Sequence, residues 1–148
     1  MGRTIGMLIA DGSDGAAIER VTQAAAAAGA SVKTIAPRVG DVTLADGSVV
    51  PADGHLAGPL SMRFDALVVI LSDEGARMLA MEDAAIDFVR DAFGHLKAIA
   101  VDPGGLSLLK SARVGRDAGV VEVGDTDAFM AAARSRQWDR QRNSHSPA

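Results

Sequence analysis

Short apolar runs alternate with helical patterns along this sequence. The apolar runs end at turn residues and are typical of strands; they cover residues 4–10, 31–36, 66–71, 98–101 and 120–123. Helical patterns follow most of them and cover residues 16–28, about 82–95, 105–111 and 126–136. Strands that alternate with helices pair in parallel through right-handed crossovers. The pattern therefore predicts an α/β fold with a three-layer, open parallel sheet of the flavodoxin-like class.

Local signals refine these predicted elements. Gly29 stands at the C′ position of the first helix, where glycine ends helices. Residues 42–50 are predicted to form a hairpin with Asp46-Gly47 at its tip. In the second helix, a stripe of Ile86, Val89 and Phe93 is predicted to face the core.

Ligands on such sheets bind at the carboxyl ends of the strands, so the loops DGSDG, SDEG and DPGG are the ones to consider. They contain Asp11, Asp73 and Asp102. These carboxylates are weak candidates for a magnesium site. In the alternative interpretation, each aspartate caps a helix, and Pro103 occupies the first helical position after Asp102. Capping is favoured, because a cap is expected at every such junction whereas a cation site needs several ligands to converge.

Composition narrows the function classes. The 148 residues suit one domain, which we place at 1–139 with a disordered tail at 140–148. A net charge of −4 gives no reason to expect nucleic acid or an anionic membrane as a partner. The absence of cysteine removes disulfides, thiolate metal sites and cysteine nucleophiles. Since neither a membrane span nor a secretory signal is visible, we expect a soluble, cytoplasmic protein.

Other conspicuous side chains have ordinary interpretations. Met78 and Met81 flank Leu79 and are predicted to fill the core. His95 is predicted to interact with carbonyl groups at a helix end rather than with a metal. Trp138, with arginines around it, is predicted to pack within the domain, and an interface role is the alternative.

The order of elements and the sharp turn after the fourth predicted strand resemble the DJ-1/PfpI group of the class I glutamine amidotransferase-like fold. In the group's A-x-C-x-G pattern, Asp102 takes the place of the cysteine and Gly104 that of the glycine. The group's supporting glutamate aligns with Ala17, and Glu19 lies two residues further on. Its Gly-Gly after the third strand is replaced by Ser72-Asp73. These departures imply a degenerate site without a catalytic residue.

A more specific resemblance lies within that fold. The stretches GRTIGMLIADGSDGAAI, VKTIAPRVGDV, LADGSVVPAD, FDALVVI, DFVRDAFGHLKAIAV and QWDR resemble the carboxy-terminal domain of large-subunit haem catalases, from about residue 2 to 140. The resemblance implies a domain that has lost the thiol and acts as a stabilising or chaperone-like appendage of a tetramer. It implies no cofactor in this domain, and haem and peroxide decomposition in a parent chain only; the sequence has no tyrosine to serve as a proximal ligand.

Two hypotheses follow from these resemblances. The preferred one is a non-catalytic structural and assembly domain, whose partners are the catalase core and the other subunits of a homotetramer and which alone dimerises weakly. The alternative is a freestanding DJ-1/PfpI-like protein that acts as a hydrolase or a holdase chaperone. Whether the chain is a part of a longer protein stays open at this point.

Overall fold

Six parallel strands form the central sheet of the molecule, in the order β5-β2-β1-β6-β7-β8. The computed structural model describes residues 3–38, 40–56, 64–94, 98–114, 120–125 and 129. The strands are β1 (Thr4–Ile9), β2 (Ser31–Ala36), β3 (Asp41–Thr43), β4 (Val49–Pro51), β5 (Gly54–His55), β6 (Ala66–Ile70), β7 (Ala98–Val101) and β8 (Val120–Glu122). The helices are α1 (Gly15–Ala27), α2 (Asp73–Ala80), α3 (Asp83–Gly94) and α4 (Pro103–Ser111).

Strand β1 lies at the centre of the sheet, between β2 and β6. Its Met7 is in register with Thr34 of β2 and with Val68 of β6. The chain moves outward from β1 to β2 and then returns to the other side of β1 at β6. Loops after neighbouring strands therefore diverge at the carboxyl edge between β1 and β6, which is where open sheets of this class form their crevices.

Both faces of the central strands are buried, which explains their uninterrupted apolar character. Side chains alternate between the faces: Ile5 and Met7 join the core cluster on one side, and Leu8 joins the cluster on the other. All five residues of β6 and all four of β7 are buried.

Helices cover the sheet on both sides and complete the predicted three layers. Helix α1 packs against one face through its buried residues Ala17, Ile18, Val21 and Ala25. The other face packs against α2, α3 and α4, whose buried side chains include Leu79, Val89 and Leu108.

Several predicted local features are confirmed. Helix α1 begins after Asp14, whose carboxylate accepts a hydrogen bond from the Ala16 N–H, and Gly29 follows its end with φ of +77°. Strands β3 and β4 pair as the predicted antiparallel hairpin, with Gly47 at φ +90° in its turn. Val89 is fully buried on α3, whereas Ile86 and Phe93 are only partly buried.

Helix α2 is absent from the sequence prediction, and the prediction for its methionines is wrong. Ser72 caps this helix by accepting a hydrogen bond from the Gly75 N–H. Ala76 and Leu79, three residues apart, face the core. Met78 and Met81 share a different side of the helix and are 56% and 80% exposed, so neither fills the core.

Some predictions lie outside the described residues. They concern His95, Trp138, the tail and, except for the buried Phe129, the helix predicted at 126–136.

Candidate functional site at the carboxyl edge of the sheet

The carboxylate of Asp102 lies between two elements at the carboxyl edge and binds the backbone of both. Its Oδ1 accepts a hydrogen bond from the Gly105 N–H at 2.7 Å, which caps α4. The Leu71 N–H, just after β6, donates to both carboxylate oxygens at 3.1 and 3.2 Å. Pro103 occupies the first turn of α4, where its missing N–H leaves no bond unmade. The structure therefore shows the capping arrangement at Asp102.

Two glycines allow this close approach of α4 to β6. A Cβ atom on Gly104 would overlap the carbonyl oxygen of Leu71, and one on Gly105 would overlap that of Val69. Both obstacles are backbone atoms, which cannot rotate away. Gly104, which aligns with the glycine of the A-x-C-x-G pattern, is thus required here by packing.

Burial changes the acidity of Asp102. Loss of solvent is the largest effect and raises the pKa of its carboxyl group, because burial disfavours the charged form. Hydrogen bonds from the Gly105 and Leu71 N–H groups act in the opposite direction, and the negative charge of Asp14 adds a smaller upward contribution. The result is a pKa above the ordinary aspartate value of 3.8.

The loop after β1 is tied to the hairpin by hydrogen bonds. Asp11 Oδ1 accepts a hydrogen bond from the Thr43 N–H at 3.0 Å, and the Gly12 N–H donates to the Thr43 carbonyl at 2.9 Å. The Ala45 N–H donates to the Ser13 carbonyl at 2.9 Å. The hairpin is therefore fixed over this part of the edge.

Ser13 is the fully buried polar side chain of this region and was not singled out from the sequence. Its hydroxyl donates to the Ile70 carbonyl at 2.6 Å and accepts from the Ala10 N–H at 3.0 Å. The hydroxyl thus joins the ends of β1 and β6. Its place one residue before the capping Asp14 was the available signal, but nothing in the sequence showed that β6 would lie beside it.

The remaining positions suggested by the DJ-1/PfpI pattern have other structural roles. Ala17 lies on α1 and faces the core on one side of the sheet, where it is buried. Glu19 is exposed and accepts a hydrogen bond from the Gln23 side chain on the same helix. The Ser72 hydroxyl accepts the hydrogen bond that caps α2, and Asp73 is an exposed residue in the first turn of that helix.

The metal candidates are separated by their structural roles. The predicted capping role is confirmed at Asp102, which caps α4. It is wrong for Asp11, which binds the hairpin while Asp14 caps α1. It is also wrong for Asp73, which is exposed in the first turn of α2 while Ser72 caps that helix. Within the described residues, no group of three or more His, Cys, Asp or Glu side chains could hold a metal ion.

A cavity of about 330 Å³ lies beside this edge and was not predicted. Its apolar lining comes from the ends of β1 and β2, the hairpin and α2, and consists of Ala10, Ala36, Pro37, Val42, Gly75, Met78 and Leu79. Its charged lining consists of Asp11, Arg38, Asp41 and Glu82. Arg38 and Glu82 form an ion pair at 3.1 Å, which connects the segment after β2 to the link between α2 and α3.

Comparison with known protein families shows the family to which this chain belongs. The family described as the C-terminal domain found in long catalases matches residues 1–140. The chain belongs to this family of catalase C-terminal domains. Curated relatives include Catalase C of Rhizobium meliloti, which is 36% identical over 95% of this chain, and Catalase-1 of Neurospora crassa, which is 31% identical over 94%.

The catalase C-terminal domain described here spans about a fifth of the length of those relatives, 21% of Catalase C and 23% of Catalase-1. Solved structures similar to it include Drosophila melanogaster DJ-1beta, with a TM-score of 0.75 and 15% identity over 97% of this chain and 95% of that one. A ThiJ/PfpI domain protein from Brachyspira murdochii gives a TM-score of 0.73 at 12% identity over 98% and 99% of the two chains. These likenesses confirm the DJ-1/PfpI fold.

The described residues do not fit a haem group. Haem iron takes axial ligands such as His, Cys, Met or Tyr, and the chain has neither tyrosine nor cysteine. His55 lies on the edge strand β5 and does not line the cavity. Met78, whose side chain is half exposed, is the one residue of the described lining that belongs to these ligand types. Separately, none of the described helices combines the length and apolar character that a bilayer crossing requires.

Proposed function

We propose that this chain is a non-catalytic domain of a long catalase, which contributes stability and assembly to a parent enzyme that decomposes hydrogen peroxide. One observation carries the proposal: the Asp102 carboxylate occupies the turn where DJ-1/PfpI relatives place a thiol, and both of its oxygens accept backbone N–H groups. A carboxylate nucleophile would need a positioned base or acid beside it. Ala17 takes the place of the family's supporting glutamate, and Glu19, two residues further on, accepts a hydrogen bond from Gln23 on the exposed side of α1.

The partners in this proposal are the catalase core and the other subunits of a homotetramer. Haem and peroxide turnover are assigned to the core in this proposal, which is supported by the lack of a suitable haem site among the described residues. The 36% identity to Catalase C of Rhizobium meliloti supports the assignment, since the match covers 95% of this chain.

A chimaera tests the proposal directly. Catalase C would be produced intact, without its C-terminal fifth, and with that fifth replaced by this chain. We expect the truncated enzyme to lose tetramer or thermal stability, and the chimaera to recover both with unchanged peroxide turnover per haem. Size-exclusion mass measurement and the half-life of activity at elevated temperature give the readouts.

Two results would contradict the proposal. One is a truncated enzyme as stable and as tetrameric as the intact one. The other is turnover of peroxide, an ester or a peptide by this chain alone, with that activity lost in Asp102→Ala but kept in the exposed-site control Glu19→Gln.

A chaperone-like action is the second candidate, and the exposed thioethers of Met78 and Met81 favour it. Methionine side chains are flexible and polarisable, and they adapt to apolar surfaces of irregular shape. A chaperone-like chain should suppress aggregation of a heated client protein, and a Met78→Ser, Met81→Ser double variant should suppress it less. Equal suppression by the variant would exclude a role for this surface.

A further inference from the structure

The cavity between the ends of β1 and β2, the hairpin and α2 has no part in the function proposed above. We propose that it binds a small organic cation, in which an ammonium group is joined to a short apolar body. The proposal rests on the size of the cavity, the division of its lining into a buried apolar part and a charged mouth, and the balance of charge at that mouth.

The volume suits a small ligand. Ligand pockets in proteins occupy roughly 300–1,000 Å³, so a cavity of about 330 Å³ is at the small end of that range. The cavity lies at the carboxyl edge next to the centre of the sheet, where folds of this class place their binding crevices.

The inner lining is apolar and formed by structured elements. The buried residues Ala10, Ala36, Val42 and Leu79 come from the position just after β1, the end of β2, the hairpin and α2, respectively. Met78 adds a flexible, half-exposed side chain to the wall. An apolar group entering here would lose contact with water against a surface that is already in place.

The mouth carries an excess of negative charge. Among the described residues of the lining, three carboxylates, those of Asp11, Asp41 and Glu82, face one guanidinium, that of Arg38. Arg38 is paired with Glu82 at 3.1 Å, which leaves the charges of Asp11 and Asp41 without a cation from the lining. The hydrogen bond from the Thr43 N–H fixes the position of the Asp11 carboxylate in advance of binding.

This arrangement favours an organic cation over a metal ion or an anion. The carboxylates do not converge into a group that could hold a metal, whereas an ammonium group can donate hydrogen bonds to carboxylates that are spread over a mouth. An anion would meet two carboxylates and an arginine that is already engaged. The apolar lining then selects an ammonium compound with a hydrocarbon part over ammonium itself.

Three probes of matched shape test the proposal with the full chain. Phenethylamine, phenylethanol and phenylacetate would be titrated separately into the ¹⁵N-labelled protein while amide chemical shifts are followed. We expect saturable shifts for the amine, centred on amides around the cavity, with a Kd on the order of 1 mM, as is usual for so small a ligand. The alcohol should bind at least about threefold more weakly, the loss expected from one partly exposed charge pair, and phenylacetate more weakly still.

Variants locate the binding and its cause. Asp41→Asn should weaken amine binding by about three- to fivefold, since one exposed ion pair contributes up to about that factor. Asp87→Asn on α3 makes the same charge change at an exposed carboxylate outside the lining and should leave the Kd unchanged. Glu82→Gln, which releases Arg38, should weaken the amine and strengthen phenylacetate. Thermal unfolding of each variant verifies that it is folded.

The proposal is overturned by any of three results. These are no saturable shift up to the solubility limit of the amine, equal affinity for the amine and the alcohol, and equal loss of affinity in Asp41→Asn and Asp87→Asn. Raising the salt concentration should weaken amine binding, because exposed charges are screened, and an affinity unaffected by salt would also contradict a charged mouth.

Discussion

Asp102 contacts two backbone amides that belong to different elements, and this makes a single side chain important for the carboxyl edge. The Gly105 N–H is one of the unpaired donors of the first turn of α4, and the Leu71 N–H lies just beyond β6. The aspartate and the proline after it allowed the cap to be predicted from sequence alone. The bond to Leu71 could not be, because it depends on β6 and β7 lying side by side.

Removing the Asp102 carboxylate should destabilise the fold. Asp102→Ala leaves the Leu71 and Gly105 N–H groups without this acceptor, at a cost of about 1–3 kcal/mol in the free energy of unfolding. Asp102→Asn keeps an acceptor oxygen and should recover most of that loss near pH 4. Urea unfolding of the three proteins measures both differences, and an alanine variant as stable as the parent would refute the proposed contribution.

The raised pKa of Asp102 predicts how stability changes with pH. Because the folded pKa lies above the unfolded value, the folded state binds more protons between the two values, and stability contributed by this group falls as pH rises through that window. Asp102→Asn lacks this titration. The parent should therefore lose stability relative to Asp102→Asn as pH increases upward from about 4. The unfolding free energies of the two proteins would be measured across this pH range. A difference that stays constant, or that changes in the opposite direction as pH rises, would contradict burial as the dominant cause of the raised pKa.

At the scale of elements, the periodicity of apolar residues predicted the helices and strands that are long and regular. Helix α1, the hairpin and the buried strands were all visible in the sequence. Strand β5 was missed because it has two residues, and α2 because its buried side is narrow. The prediction for Met78 and Met81 is wrong because it treats hydrophobic residues as buried ones. Helix geometry turns both side chains away from the face that carries Ala76 and Leu79.

The contact of α4 with β6 depends on glycine at two positions. Gly104→Ala and Gly105→Ala should each destabilise the protein by about 1–3 kcal/mol or more, because the new methyl group meets backbone carbonyls that cannot repack. Gly94→Ala is the matched control: a Cβ there would have no neighbour within 4 Å in the described part of the chain, and alanine is the better helix former. Thermal unfolding should place the control at or above the parent, and a similar loss in all three variants would refute the packing argument.

At the scale of the whole molecule, composition and element order were enough to predict the layered sheet, since each buried strand had to be covered on both faces. The cavity could not be predicted from the sequence. Its lining comes from separate segments around residues 10–11, 36–42 and 75–82, which are brought together only by the crossover from β2 back to β6.

The proposed domain boundary can also be tested. We propose that residues 1–139 form a single domain and that residues 140–148 add nothing to its stability, a boundary close to the end of the family match at residue 140. A chain that ends at residue 139 should unfold cooperatively at the same temperature as the full chain. A lower unfolding temperature by calorimetry would show that the last residues belong to the domain.

The outward placement of Met78 and Met81 has a chemical consequence. Thioethers exposed to solvent are converted to sulfoxides by oxidants, and the product is polar and larger. Among the described methionines, Met81, at 80% exposure, should react with hydrogen peroxide first, Met78 next, and the fully buried Met7 far more slowly. Peptide mass mapping after timed exposure would give this order. Under the function proposed above, hydrogen peroxide that escapes from the catalase core would oxidise these two exposed side chains, and their sulfoxide content would report how much peroxide had escaped.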